Sequence, residues 1–132
     1  MKKVIFLVMA IVMMGWMQTA AQDDPFDPII DAIRSSDARS LSASFNTTLE
    51  LCLPDNENTF SSSQAEMIMK DFFRKYPPDQ VEVIQKGTTG ADASFAICSY
   101  SSASINYQVY IQLRKEKDRH LINKIKFEEK KS

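Results

Sequence analysis

The pattern of apolar and polar positions is sharpest near the C-terminus. Ile105, Tyr107, Val109, Ile111 and Leu113 fall at every second position, and Asn106, Gln108, Tyr110, Gln112 and Arg114 fill the gaps. That is the period of a strand with one face buried. Lys115 to His120 forms a charged tip. Leu121, Ile125 and Phe127 then resume the alternation, with Lys124 and Lys126 on the wet side. The pattern predicts a long hairpin whose apolar face the rest of the chain must cover. On this phase Asn123 points inward between Leu121 and Ile125.

Upstream, Asp27-Pro28 predicts a helix start, with Asp27 as N-cap and Pro28 at the first helical position. Ile29, Ile30 and Ile33 mark its apolar face. Ser35-Ser36-Asp37 interrupts it and caps a second short helix carrying Leu41 and Phe45. Leu49 to Leu53 alternates as a short strand, stopped by Pro54, and Thr59-Phe60 adds a brief return. Ser63 to Tyr76 reads as the clearest helix, opened by a Ser63/Glu66 capping box. Ala65, Ile68 or Met69, Phe72, Phe73 and Tyr76 keep its 3.6-residue period, and Pro77-Pro78 ends it. Val81 to Lys86 and Ala93 to Tyr100 are strands around a Gly87–Asp92 turn, and Ser101 to Ser104 links them to the long hairpin. A glycine-rich loop that cradles phosphate needs a helix directly behind it, and here a strand follows. Helices and strands without βαβ alternation predict an α+β fold with an antiparallel sheet curled over the helices.

The first 21 residues change the picture of where this domain works. Lys2-Lys3 is a basic start, Val4 to Met17 an apolar core, and Thr19-Ala20-Ala21 supplies small residues before a cut at Gln22. This is the pattern of a secretory signal peptide, too short an apolar run for a membrane span of roughly 20 residues. Cleavage leaves a single domain over residues 22–132 that is periplasmic or extracellular, with no membrane span. With Lys2 and Lys3 gone, 14 of the 16 basic residues remain against 17 acidic ones, a formal charge of −3. No basic surplus is left to neutralise nucleic-acid phosphates.

Ile33-Arg34-Ser35-Ser36-Asp37-Ala38-Arg39-Ser40-Leu41 with Phe45, and Gln64-Ala65-Glu66 with Asp71-Phe72-Phe73 and Pro77, resemble the motifs of the nuclear transport factor 2-like (cystatin-like) superfamily. The branch resembled is a bacterial family of small exported proteins of unknown function. Ser36 stands where that pattern often has glycine. The resemblance spans roughly residues 26–128. It implies a curved antiparallel sheet wrapped on a long helix, with two short N-terminal helices, a pocket at the wide end and a homodimer through the sheet. The motifs are structural, and the superfamily includes isomerases, dehydratases, hydrolases and non-catalytic binding domains, so the fold does not select among them.

The candidate chemistry is sparse. Cys52 and Cys98 are the only cysteines. In the topology the resemblance implies they lie about three strands apart, roughly 14 Å at about 4.8 Å per step, beyond disulfide reach, so both are expected as free thiols. His120, the one histidine, sits in the charged tip, and no Cys/His spacing marks a metal site. Glu50 and Glu82 alternate with apolar residues and point outward. No inward carboxylate is found for acid–base catalysis, so no catalytic residue and no cofactor is expected. Tyr76, Ser99, Tyr107 and Asn123 are the residues expected to line a pocket. Together these features predict a non-catalytic domain that binds a small molecule or an envelope protein. The alternatives are a small isomerase, dehydratase or hydrolase of the superfamily type, and an assembly module that dimerises through the sheet face bearing Gln108, Tyr110 and Gln112.

Overall fold

A computed structural model describes residues 24–131, so the leader predicted over residues 1–21 lies outside the described residues. The order of elements is α1 (Phe26–Arg34), α2 (Ala38–Ser42), β1 (Phe45–Leu53), β2 (Asn56–Ser61), α3 (Ser62–Lys75), β3 (Gln80–Thr88), β4 (Ala93–Ser102), β5 (Ile105–Glu116) and β6 (Arg119–Glu129). The strands form one six-stranded sheet in the order β2-β1-β6-β5-β4-β3. The fold is α+β with a curved sheet, but the sheet is mixed and not antiparallel throughout. The last strand slots between β5 and β1 and runs parallel to β1, because the chain reaches β6 from β5 while β1 was laid down in the same direction.

Tyr107, Val109, Ile111 and Leu113 are buried as their alternation predicts, and they share one core with Ile29 and Ile33 of α1, Leu41 of α2 and Met69 and Phe72 of α3. The return strand departs from its simple phase. Gln112 pairs with Lys124 but Leu113 pairs with Ile122, so Asn123 is an extra residue in a bulge. A bulge shifts the alternation by one place. Ile122 therefore enters the core fully, and Leu121 is only half-buried. The β1–β6 register breaks at the same place, between Phe45–Ile122 and Glu50–Lys124.

Several helix ends differ from their sequence signals. The first helix begins at Phe26, not after Asp27: Asp24 Oδ1 accepts the Phe26 N–H at 2.9 Å, and Pro28 lies inside the first turn. Burial of Phe26 decides the start. The capping box of α3 is Ser61 with Gln64. Ser61 Oγ accepts the Gln64 N–H at 3.2 Å and Gln64 Oε1 accepts the Ser61 N–H at 3.0 Å. Glu66 is left to accept a hydrogen bond from Ser42 Oγ at 3.0 Å, tying α3 to α2. Phe45 begins β1 rather than ending a helix, and β2 extends well beyond Thr59-Phe60. Gly87 belongs to β3, with the ring of Phe95 lying over it: a Cβ there would stand 2.8 Å from Phe95 Cε1. Ser101 and Ser102 belong to β4, leaving a two-residue Ala103-Ser104 turn.

Three non-glycine residues adopt left-handed backbone: Ser36 (φ 58°), Ala103 (φ 50°) and Lys117 (φ 59°). Ala103 and Lys117 are the first residues of two-residue hairpin loops, where positive φ matches the strand twist. Ser36 closes α1. Its N–H reaches Ile33 C=O at 3.1 Å while the Asp37 N–H reaches Ala32 C=O at 2.8 Å, the two bonds of a Schellman motif, which favours glycine at this position.

Ser36→Gly is expected to stabilise the fold by about 0.5–1 kcal/mol, the left-handed penalty of roughly 1–2 kcal/mol less the added unfolded-state freedom. Urea midpoints of the two proteins check it; an unchanged or lowered midpoint would refute it.

Candidate functional site

Phe72 of α3 and Tyr76 at its C-cap lie four residues apart, and both meet aromatic rings of the sheet. Phe72 is their centre: its ring centroid lies 4.6 Å from Phe127, 5.1 Å from Tyr76 and 5.5 Å from Tyr107. Such spacing is that of edge-on and tilted aromatic packing. Two hydrogen bonds hold the end of α3 and its exit to the sheet. Tyr100 Oη donates to Tyr76 C=O, and Ser102 Oγ donates to Pro77 C=O at 2.7 Å. Ser102 is thereby a satisfied buried hydroxyl.

Alongside α3, from Met67 to Tyr76, the helix and the β1–β2 turn enclose a cavity of about 450 Å³. Phe72, Tyr76, Tyr107 and Ile105 line its aromatic and apolar floor, and Met67, Ile68 and Leu53 form its apolar sides. Met67 is 72% exposed, an unusual position for a large apolar side chain. The rim is charged, with Asp55 from the β1–β2 turn, Asp71 and Lys75 from α3, and Glu129 from the end of β6. Asp71 is engaged, 2.6 Å from Arg74 Nη2 and 3.3 Å from Lys75 Nζ. The Arg74 hydrogen bond, then the one from Lys75, holds its carboxyl below the usual range. Among the described residues, Asp55 and Glu129 have no ion-pair partner.

The structure brings Tyr76 and Tyr107 together at this cavity, their ring centroids 6.0 Å apart. Among the described residues, neither hydroxyl has a hydrogen-bond partner. Burial pushes the Tyr107 phenol up, with Tyr76, Glu129 and Asp55 adding to the effect. It therefore stays protonated at neutral pH. Tyr100, 5.9 Å from Tyr107, is also held protonated by burial, but its hydroxyl is committed to α3.

Ser99 and Asn123 do not join them. On β4 it is Ala96, Cys98 and Tyr100 that face the core, so Ser99 lies on the opposite face of the sheet. Asn123 sits in the β6 bulge outside the cavity lining, and its buried Oδ1 has no partner. The residues missed from sequence are Asp55 and Glu129. The period that turns Ile125 and Phe127 inward also carries Glu129 inward, directly opposite Tyr107. Leu51 and Leu53 lead to Asp55 in the same way. That signal was present, but carboxylates at a turn and a strand end look like ordinary surface.

Cys52 and Cys98 are free and buried. Cys98 faces the core, whereas Cys52 lies on the outer face of β1, three strands away in the sheet order. Ligand atoms of Glu50, Cys52 and Glu57 lie within 4.8 Å of one another. Burial first, then the charges of Glu57 and Glu50, raises the Cys52 thiol, so a metal would have to displace a proton that this setting retains. His120 is exposed in the β5–β6 hairpin, and Glu50 and Glu82 are exposed on their strands. No helix among the described residues is long and apolar enough to cross a membrane.

Two predictions follow from these placements. Asn123→Leu removes a buried acceptor that lacks a partner, so stability should rise by about 1 kcal/mol; a fall in the urea midpoint would show that the amide is satisfied. Burial pushes the Cys98 thiol up to about 11 from 9.0. The folded state thus holds this proton more tightly than the unfolded state. The associated stability is complete below pH 9 and is lost as pH rises towards 11. Cys98→Val should flatten that decline in denaturation curves taken at successive pH values, and an unchanged decline would contradict the assignment.

The family model described as "Domain of unknown function (DUF4783)" matches residues 26–128. A DUF4783 family protein from Bacteroides ovatus is 21% identical, covers 85% of this chain and all of its own, and superposes with a TM-score of 0.77. One from Bacteroides uniformis is 19% identical over 80% of this chain and 97% of its own, with a TM-score of 0.75. An NTF2-like protein of unknown function from Shewanella baltica is 13% identical over 81% of this chain and 89% of its own, with a TM-score of 0.60. No curated protein matches the chain.

Proposed function

This chain belongs to the DUF4783 family, and on that premise we propose that it is an exported, non-catalytic domain that binds a small ligand in the cavity alongside α3. One observation carries the reading. A cavity of about 450 Å³ combines an aromatic floor with two tyrosine hydroxyls that no described protein group uses. Apolar walls with a few unengaged polar groups are the usual make-up of a ligand site. The leader pattern at residues 1–21 supports export. A fold of the NTF2-like kind accommodates binding without dictating its chemistry.

A second reading, a small acid–base enzyme, is favoured by the Tyr76–Tyr107 pair beside Asp55 and Glu129. A phenol kept protonated can donate to a developing oxyanion while a carboxylate removes a proton. Its test is exchange of α-deuterium from small ketones into water. Exchange above the buffer rate that Tyr107→Phe abolishes would support this reading, and exchange at the buffer rate with every ketone would reject it.

The binding reading is tested by native mass spectrometry of the mature protein isolated from its own cell envelope. A small species should accompany the protein, leave on denaturation, and be absent from Met67→Trp, whose indole fills the mouth from an exposed position. Tyr107→Phe should weaken rebinding of that species about fivefold, the loss of one hydrogen bond. A ligand-free mass for the native protein, or equal occupancy in Met67→Trp, would reject it.

A further inference from the structure

The cavity that the proposed binding function rests on has an electrostatic asymmetry of its own. Its lining holds three carboxylates and one ammonium. The ammonium, Lys75, shares Asp71 with Arg74, so these three side chains together leave one positive charge at the rim. Asp55 and Glu129 remain, reaching the rim from two separate elements, a hairpin turn and the end of β6. Glu129 stands opposite Tyr107 in the β5–β6 ladder. Below them lie the rings of Phe72, Tyr76 and Tyr107, with centroids 5.1–6.0 Å apart. Aromatic faces attract cations within about 6 Å of a ring centroid, and more strongly when water is excluded. An anionic ligand would meet two unmatched carboxylates, and a neutral one would leave them unused.

From this geometry we infer that the ligand is a small organic cation: a small apolar body held among the half-buried Tyr76, Ile68 and Ile105, with a primary ammonium held between Asp55 and Glu129. The Tyr107 hydroxyl accepts a hydrogen bond from the same ammonium. The upward push that Glu129 and Asp55 exert on the Tyr107 phenol agrees with a negative potential converging at that point. Asp71 keeps its role of partly offsetting Arg74 and Lys75, and Asp55 and Glu129 leave the rim negative beyond that.

Three isosteric probes separate the possibilities: phenethylamine, 2-phenylethanol and 3-phenylpropionate, titrated into the mature protein at pH 7 with binding read from NMR shifts at Phe72, Tyr107 and Ile105. Phenethylamine should bind at least tenfold more tightly than the alcohol, and the propionate should be weakest. Asp55→Asn and Glu129→Gln should each weaken phenethylamine about three- to tenfold and leave the alcohol unchanged. Raising salt from 20 to 500 mM should erode the preference, because the rim is open to solvent. Neither substitution removes a hydrogen bond or ion pair present in the fold, so folding should survive, and amide spectra check this. Equal binding of alcohol and amine would overturn the cation assignment and leave the cavity a binding site. Shifts at these residues with none of the probes up to 10 mM would overturn the cation assignment, and with an empty native mass would remove the binding reading too.

Discussion

The packing of Phe72 against Phe127, Tyr107 and Tyr76 is the contact on which the rest of the structure depends. It joins α3 to β5 and β6, the two strands at the sheet's centre. Three aromatic side chains with ring centroids 4.6–5.5 Å from Phe72 supply area and geometry that aliphatic residues in the same places would not. The cluster also fixes where helix and sheet part company. The cavity lies alongside α3 from Met67 to Tyr76, between the helix and the β1–β2 turn and the ends of β5 and β6. Core and candidate site therefore share the same rings: Phe72 and Tyr107 are all but fully buried and close the base of the cavity, and Tyr76 is the ring that stays half-open to it.

This sharing makes the floor rigid. Tyr100 and Ser102 donate to carbonyls at the end of α3, so the helix terminus is tied to β4 by hydrogen bonds as well as by packing. The rim has no such fastening. Asp55 sits in a two-residue turn and Glu129 at a strand end, and Met67 stands in solvent. A preformed base with adjustable edges suits recognition in which the body of the ligand is selected by shape and its charge by the rim.

Much of the fold was legible because period and side chain agree. The alternation from Ile105 to Leu113 and the helical stripe through Phe72 and Tyr76 each have a single reading, and both tyrosines reach the cavity. Legibility failed where tertiary burial overrides local pattern. Leu121 and Ile122 are adjacent and both apolar, so the chain alone does not say which enters the core; the bulge at Asn123 decides it and removes that amide from the cavity. Ser99 falls on the outer face because both faces of β4 carry apolar residues, Phe95 and Ile97 on one and Ala96, Cys98 and Tyr100 on the other, so alternation alone does not say which face is buried. Ser61 and Ser63 both head an S-x-x-[EQ] pattern, and the choice between them depends on where β2 ends. Asp55 and Glu129 lie on the inward phase of their strands, but a carboxylate at a turn or a strand end reads as surface until the topology brings the two together. The parallel pairing of β1 with β6 is likewise a property of the whole topology.

That pairing has a consequence for how the protein comes to be folded. The strand that β1 needs as its neighbour is the last one synthesised: Glu50, Leu51 and Cys52 pair with Lys124, Ile125 and Lys126. Until β6 exists, the β1–β2 hairpin has no sheet to join, and α3 has no Phe127 to close around. Contacts so distant in sequence require a large loop to be closed before they are rewarded, which slows folding. The chain remains an open set of hairpins through most of its synthesis, and a truncation short of Phe127 would yield no smaller version of the domain.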